Sequence, residues 1–164
     1  MPAVRPRCGP GLVLALAVLL VAGCTDGEGG GTESESPSAD TLDTGSRPEI
    51  DLPEGPPPEG LTVDDLVEGD GPQVEDDVRL TLHYVALTWS GDEVTSTWDR
   101  GQPLIYRYGD GRWVEGWNAG LEGMHEGGRR RIVVPAEFGY GQRSVPGVPA
   151  GETLVFVVDL LEVG

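Results

Sequence analysis

The stretch Val114-Glu115-Gly116-Trp117-Asn118-Ala119-Gly120-Leu121-Glu122-Gly123-Met124 decides how this chain is organised. Trp117, Leu121 and Met124 recur at helical spacing, so one apolar stripe looks one way. A short helix is expected over Glu115–Met124, ended near Gly127-Gly128. On either side the pattern changes to alternation. Val78, Leu80, Leu82, Tyr84 and Ala86 alternate with Arg79, Thr81, His83 and Val85, which reads as a half-buried strand. Leu104, Tyr106 and Tyr108 form a second alternating set. Ile132-Val133-Val134 is a short apolar strand stopped by Pro135. Thr153 to Leu161 is the longest strand signal, with Leu154, Phe156, Val158 and Leu160 on one face. Gly and Pro punctuate the rest. The expected fold class is α+β: an antiparallel β-sheet with one short packed helix, over residues 61–164.

Composition narrows the function. The chain has 164 residues, enough for one ordinary domain plus extra segments. Acidic residues number 28 against 11 basic ones, a formal charge of -17. Such a surface repels phosphates, which excludes a nucleic-acid role. Every basic side chain is Arg, which we read as a compositional bias.

Taken in order, the motifs are similar to one family. His83-Tyr84 is followed by Gly91, Ser96-Thr97-Trp98-Asp99-Arg100-Gly101, Pro103 and Gly109. Val114-Glu115-Gly116-Trp117 and Gly120-Leu121-Glu122-Gly123-Met124 come next. Gly127-Gly128, Arg129-Arg130, Val134-Pro135, Tyr140-Gly141, Pro149 and Thr153-Leu154-Val155-Phe156 complete the series. One piece alone is weak; in register over Leu61 to Gly164 they are specific. The domain resembles the FKBP-type peptidyl-prolyl isomerases. The resemblance implies an antiparallel β-sheet half-wrapped around the helix and a shallow apolar pocket between them. It also implies binding of Xaa-Pro segments, cis/trans isomerisation, macrolides such as rapamycin in some members, and a monomer. Neither cofactor nor metal is expected.

By the same resemblance, Tyr84, Trp117, Tyr140 and Phe156 are the expected catalytic set. Trp117 would be the floor beneath the proline ring. It reads equally well as a core residue of a short amphipathic helix, and both hold if one indole face packs inward. The Tyr140 hydroxyl would donate to the substrate. Val94, Thr95, Arg100, Leu104, Trp113, Val114 and Val148 are the expected substrate contacts, Val114 through its backbone N–H and Val148 at the rim. Leu104 reads as core or pocket. The chain departs from the family at Val94-Thr95, where Phe-Asp is usual. That shrinks one wall and leaves Arg100 without a carboxylate there. The loop from Gln142 to Gly147 is shorter than usual, and Ala150 stands where a second Pro is common. Two readings stay open: an isomerase, or a chaperone-like module that binds proline segments with little turnover. A purely structural lipoprotein fits the pocket aromatics least.

The N-terminus reads as an export signal. Arg5 and Arg7 precede an apolar run of eleven residues, Leu12 to Ala22, too short to span a bilayer. It ends Val21-Ala22-Gly23-Cys24, which resembles a bacterial lipobox. Residues 1–23 are expected to be removed and Cys24 lipidated, placing the protein outside the cytoplasm on the membrane. Cys8 leaves with the signal, so the mature domain has no disulfide and relies on its core. Residues 24–60 are acidic and rich in Gly, Ser and Pro, the composition of a disordered tether.

The remaining signals read as structure. Arg129-Arg130-Arg131 reads as a solvated face. Asp64, Asp65, Glu68 and Asp70 lack the spacing of a calcium loop. His83 reads as a strand residue and His125 as an exposed turn residue, neither with a metal-ligand partner. Ser144 lies in no nucleophile elbow.

Overall fold

The computed structural model describes residues 46–164. The expected signal peptide, Cys24 and the tether up to residue 45 lie outside the described residues. In chain order the elements are β1 (Thr62–Val67), β2 (Arg79–Thr88), β3 (Glu93–Ser96), β4 (Leu104–Arg107), α1 (Glu115–Leu121), β5 (Arg129–Val134) and β6 (Leu154–Val163). The sheet runs β1-β5-β6-β2-β3, and β4 takes the remaining half of the β2 edge. Every pairing is antiparallel.

The helix lies close against the sheet because two glycines permit it. A Cβ on Gly116 would fall 2.4 Å from Val134 Cγ1, and one on Gly120 would fall 2.4 Å from Ile132 Cγ2. Both separations are far below van der Waals contact, so any larger residue forces the helix off β5. Trp117, between them in sequence, is fully buried with Leu121 and Met124. The helix stops at Leu121, three residues earlier than the spacing predicts. Arg130 secures that end. Its Nη1 donates to the carbonyls of Gly120 and Glu122, each at 3.0 Å. Those carbonyls have no partner within the helix, and the guanidinium charge suits the negative end of the helix dipole.

The three arginines of β5 are not a solvated face, which corrects the sequence reading. Arg129 meets Asp159 at 2.6 Å, Arg130 meets Asp65 at 2.6 Å, and Arg131 meets Asp64 at 2.9 Å. Asp64 and Asp65 stand opposite Arg131 and Arg130 in register, so the acidic run is the complementary strand β1. Two Asp in a row lower strand propensity, which is why β1 escapes a pattern search.

The central strands are buried on both sides, not one. Leu154, Phe156, Val158 and Leu160 face the helix, while Val155, Val157 and Asp159 are buried on the other side of β6. Val85, Leu87 and Val133 extend that outer apolar strip. Residues 46–60 lie across it, so the disordered tether expected through residue 60 does not hold for this part. Arg47 pairs with Glu93 of β3 and with Asp99 at 3.1 Å. The Asp51 carbonyl accepts from Arg131 of β5 at 3.2 Å, and the Gly55 carbonyl accepts from the Trp89 indole at 3.1 Å. Pro48 is buried. Because β3 and β5 lie on opposite sides of β6 and β2, the strap crosses the back of the sheet. Its acidic, proline-rich composition hides this, since the apolar partner belongs to the sheet. A chain beginning at Leu61 is expected to be less stable than the full chain by about 2–4 kcal/mol, the scale of re-exposing one or two apolar side chains. Urea unfolding of both chains measures this, and equal midpoints would contradict a structural strap.

Candidate functional site

A cavity of ≈ 680 Å³ opens where the start of α1 meets β2, β3, β4 and the loop after the short 3-10 turn Ala136–Phe138. Of the residues expected at a site, Tyr84, Val94, Thr95, Leu104, Trp113, Val114, Tyr140 and Phe156 line it. Tyr106, Ile105, Arg112 and Arg143 line it too and escaped the sequence reading. Tyr106 was legible: it shares a strand face with Leu104. The loop residues had no such periodic signal.

Trp117, Arg100 and Val148 lie outside the lining. Trp117 is fully buried, which corrects its expected place at the surface of the floor. Trp113 covers it, the two indoles stacked at 4.9 Å between centroids and 23° between planes. Trp113 also meets Tyr84 edge-on at 5.9 Å and Tyr106 at 5.6 Å. The cavity floor is therefore Trp113, with Trp117 one layer down. Val148 is buried and packs into the core, because reciprocal backbone bonds with Val145 at 3.0 and 2.9 Å fold its loop inward. Arg100 is exposed beside the cavity. Its Nη1 donates to Thr95 Oγ1 at 2.7 Å, and its guanidinium carbon lies 5.7 Å from the Tyr84 ring centroid.

The walls are held from behind. Thr97 is fully buried, and its Oγ1 accepts the Tyr84 N–H at 2.8 Å and donates to the Tyr84 carbonyl at 3.1 Å. This fixes the backbone that carries the Tyr84 ring. The Trp117 indole donates to the Tyr106 hydroxyl at 2.9 Å. Burial raises the Tyr106 phenol well above its ordinary value, partly offset by that indole hydrogen bond. Tyr106 therefore stays uncharged at neutral pH, and this wall remains apolar.

Against these walls stand two donors. Val114 is the N-cap of α1 and is extended at φ -62, ψ 151, so its N–H falls outside the helix ladder. Among the described residues neither that N–H nor the Tyr140 hydroxyl meets an acceptor. Apolar aromatic walls with two unpaired donors suit a compact apolar ring flanked by carbonyls.

The profile of FKBP-type peptidyl-prolyl cis-trans isomerases matches residues 71–161. The chain belongs to the FKBP-type peptidyl-prolyl cis-trans isomerase family. It is 42% identical over 120 residues to an FK506-binding protein of Streptomyces anulatus, covering 71% of this chain and 97% of that one. An FK506-binding protein of Neisseria meningitidis serogroup B is 41% identical over 105 residues, covering 63% and 96%. Among solved structures, AtFKBP13 is similar with a TM-score of 0.61 and 29% identity over 66% of this chain and 96% of that one. FkpA from Escherichia coli is similar with a TM-score of 0.59 and 36% identity, covering 63% of this chain and 48% of that one. This FKBP domain thus carries two stacked tryptophans where the sequence reading made Trp117 the floor and Trp113 a substrate contact.

The layering has a direct test. With Trp89 and Trp98 changed to Phe, Trp113→Ala leaves Trp117 as the sole indole, and Trp113→Phe does the same under an aromatic cover. Acrylamide should quench the Ala variant at least about twice as strongly, as expected when a burying ring is removed. Equal quenching would show that Trp113 does not shield Trp117.

Proposed function

We propose that this chain accelerates cis/trans interconversion of Xaa-Pro bonds in exported polypeptides, with the proline ring seated on Trp113 in this cavity. The supporting observation is that Val114 N–H and Tyr140 O–H, which meet no acceptor among the described residues, belong to the lining of a cavity with aromatic walls. The chemistry needs no nucleophile or cofactor. Resonance holds a peptide bond planar behind a barrier of about 18–20 kcal/mol. A catalyst must favour the twisted amide over both planar forms. Twisting ends conjugation between nitrogen and carbonyl and reduces charge separation. The apolar cavity therefore accommodates the twisted form better than water does. The Val114 N–H and Tyr140 hydroxyl steady flanking carbonyls, so the segment stays oriented while the bond turns.

Macrolides of the FK506 type are proposed ligands of the same cavity, since the relatives named above are FK506-binding proteins. We also propose a monomer, exported and held on the outer face of the membrane by lipidated Cys24. The support is the apolar run Leu12 to Ala22 ending at a small-residue triplet before Cys24. A second reading is binding with little turnover. Its support is Trp113 lying over Trp117, together with a hydroxyl rather than a carboxylate beside Arg100.

A prolyl isomerisation assay with the full chain and a blocked Leu-Pro peptide separates these readings. Acceleration well above the uncatalysed exchange, which takes tens to hundreds of seconds, is expected. Tyr140→Phe should lower kcat/KM by about 3- to 10-fold, the worth of one hydrogen bond. Thr95→Asp, which gives Arg100 a carboxylate, should raise it. No acceleration by a folded chain would leave the binding module. For the anchor, cells expressing Cys24→Ser should release into the aqueous phase a protein whose unmutated form partitions into detergent. Identical partitioning would contradict lipidation at Cys24.

A further inference from the structure

On a chain with 28 acidic and 11 basic residues, a guanidinium without a carboxylate is an exception. Among the described residues, Arg47, Arg107, Arg112, Arg129, Arg130 and Arg131 all pair with Asp or Glu. Arg79, Arg100 and Arg143 have no carboxylate partner among the described residues. Two of these three border the cavity. Arg143 is exposed and forms part of its lining. Arg100 is exposed and is held beside it by Thr95 Oγ1 at 2.7 Å and by the Tyr84 ring. A hydroxyl and a ring face orient a guanidinium without cancelling its charge.

The other charged groups at the lining are Arg112 and Glu115, both on the helix side. Arg112 is occupied by Asp110 at 2.5 Å, and its hydrogen bonds hold the Asp110 carboxyl below its ordinary value. Glu115 lies in the first turn of α1, where the helix dipole favours an anion. Uncompensated positive charge is therefore confined to the side formed by β3 and the loop after Tyr140.

We infer that Arg100 and Arg143 make the cavity select proline segments carrying a carboxylate side chain next to the Xaa-Pro pair. The inference rests on the reading that the cavity binds proline segments. A guanidinium binds a carboxylate through parallel hydrogen bonds, and such a pair adds to ring burial at the floor. Because both arginines are exposed, the selection is modest and weakens with salt.

The test uses the full chain and blocked peptides with a Leu-Pro core. A Glu, Gln or Lys is placed on the N-terminal or the C-terminal side, and dissociation constants are measured by calorimetry at low salt. On at least one side Glu should bind about 3- to 10-fold more tightly than Gln, with Lys weakest. Arg100→Gln and Arg143→Gln should each lower that ratio, Thr95→Asp should reduce it by neutralising Arg100, and Arg79→Gln should leave it intact. Equal affinities for Glu and Gln on both sides would overturn the inference, as would a ratio that survives the double substitution of Arg100 and Arg143. Isomerisation of a neutral Leu-Pro peptide is scored separately. Turnover with no Glu preference sinks the selectivity alone, and a Glu preference without turnover sinks the isomerase reading alone. Failure of every peptide to bind overturns both.

Discussion

The close approach of α1 to β5 is the constraint on which the site depends. Gly116 and Gly120 bring the helix backbone against Val134 and Ile132 with no room for a Cβ. Trp117 is thereby driven into the core, and its indole meets Tyr84, Tyr106 and Phe156 from below. The same placement presents the first residues of the helix to the cavity. Trp113 then lies flat on Trp117, and the Val114 N–H, outside the helix ladder, is left free to donate. A larger residue at either glycine would move the floor, the walls and the donor together.

Trp113 alters what the helix delivers. It follows a turn containing Gly109 and Gly111, both at positive φ, where a side chain would be strained. That turn brings the chain back over the helix start and lays a second indole on the first. Trp113 contributes stacking area in place of pocket depth, and its indole is held by three aromatic neighbours. The strap over residues 46–60 works on the opposite face. It shields the outer side of β2 and β6, whose inner side carries Tyr84 and Phe156.

Much of this was legible in the residues. Alternation marked β2, β4 and β6, and the Trp117, Leu121, Met124 spacing marked the helix. Eight of the residues expected at the site do meet around one cavity. What escaped shares one cause: its signal lies in a distant partner. The acidic strand β1 reads as surface until Arg130 and Arg131 are set beside it. β3 has only four residues, too few for a period to show. The strap reads as a tether because the apolar strip it covers belongs to the sheet. Helical spacing buries Trp117 or exposes it with equal ease, and only the tertiary position of Trp113 decides. Arg143 sat in a loop with no period at all, and its significance emerged only when six other arginines proved to be paired.

The central claim is that a proline ring docks on Trp113, between Tyr84 and Phe156. The most direct measurement is an isotope-filtered NOE experiment on the labelled full chain with an unlabelled blocked Leu-Pro peptide. The account predicts contacts from the proline ring protons to the side chains of Trp113, Tyr84 and Phe156, with a downfield shift of the Val114 amide. Proline contacts confined to residues outside this cavity, with the Trp113 and Val114 signals unmoved, would contradict it.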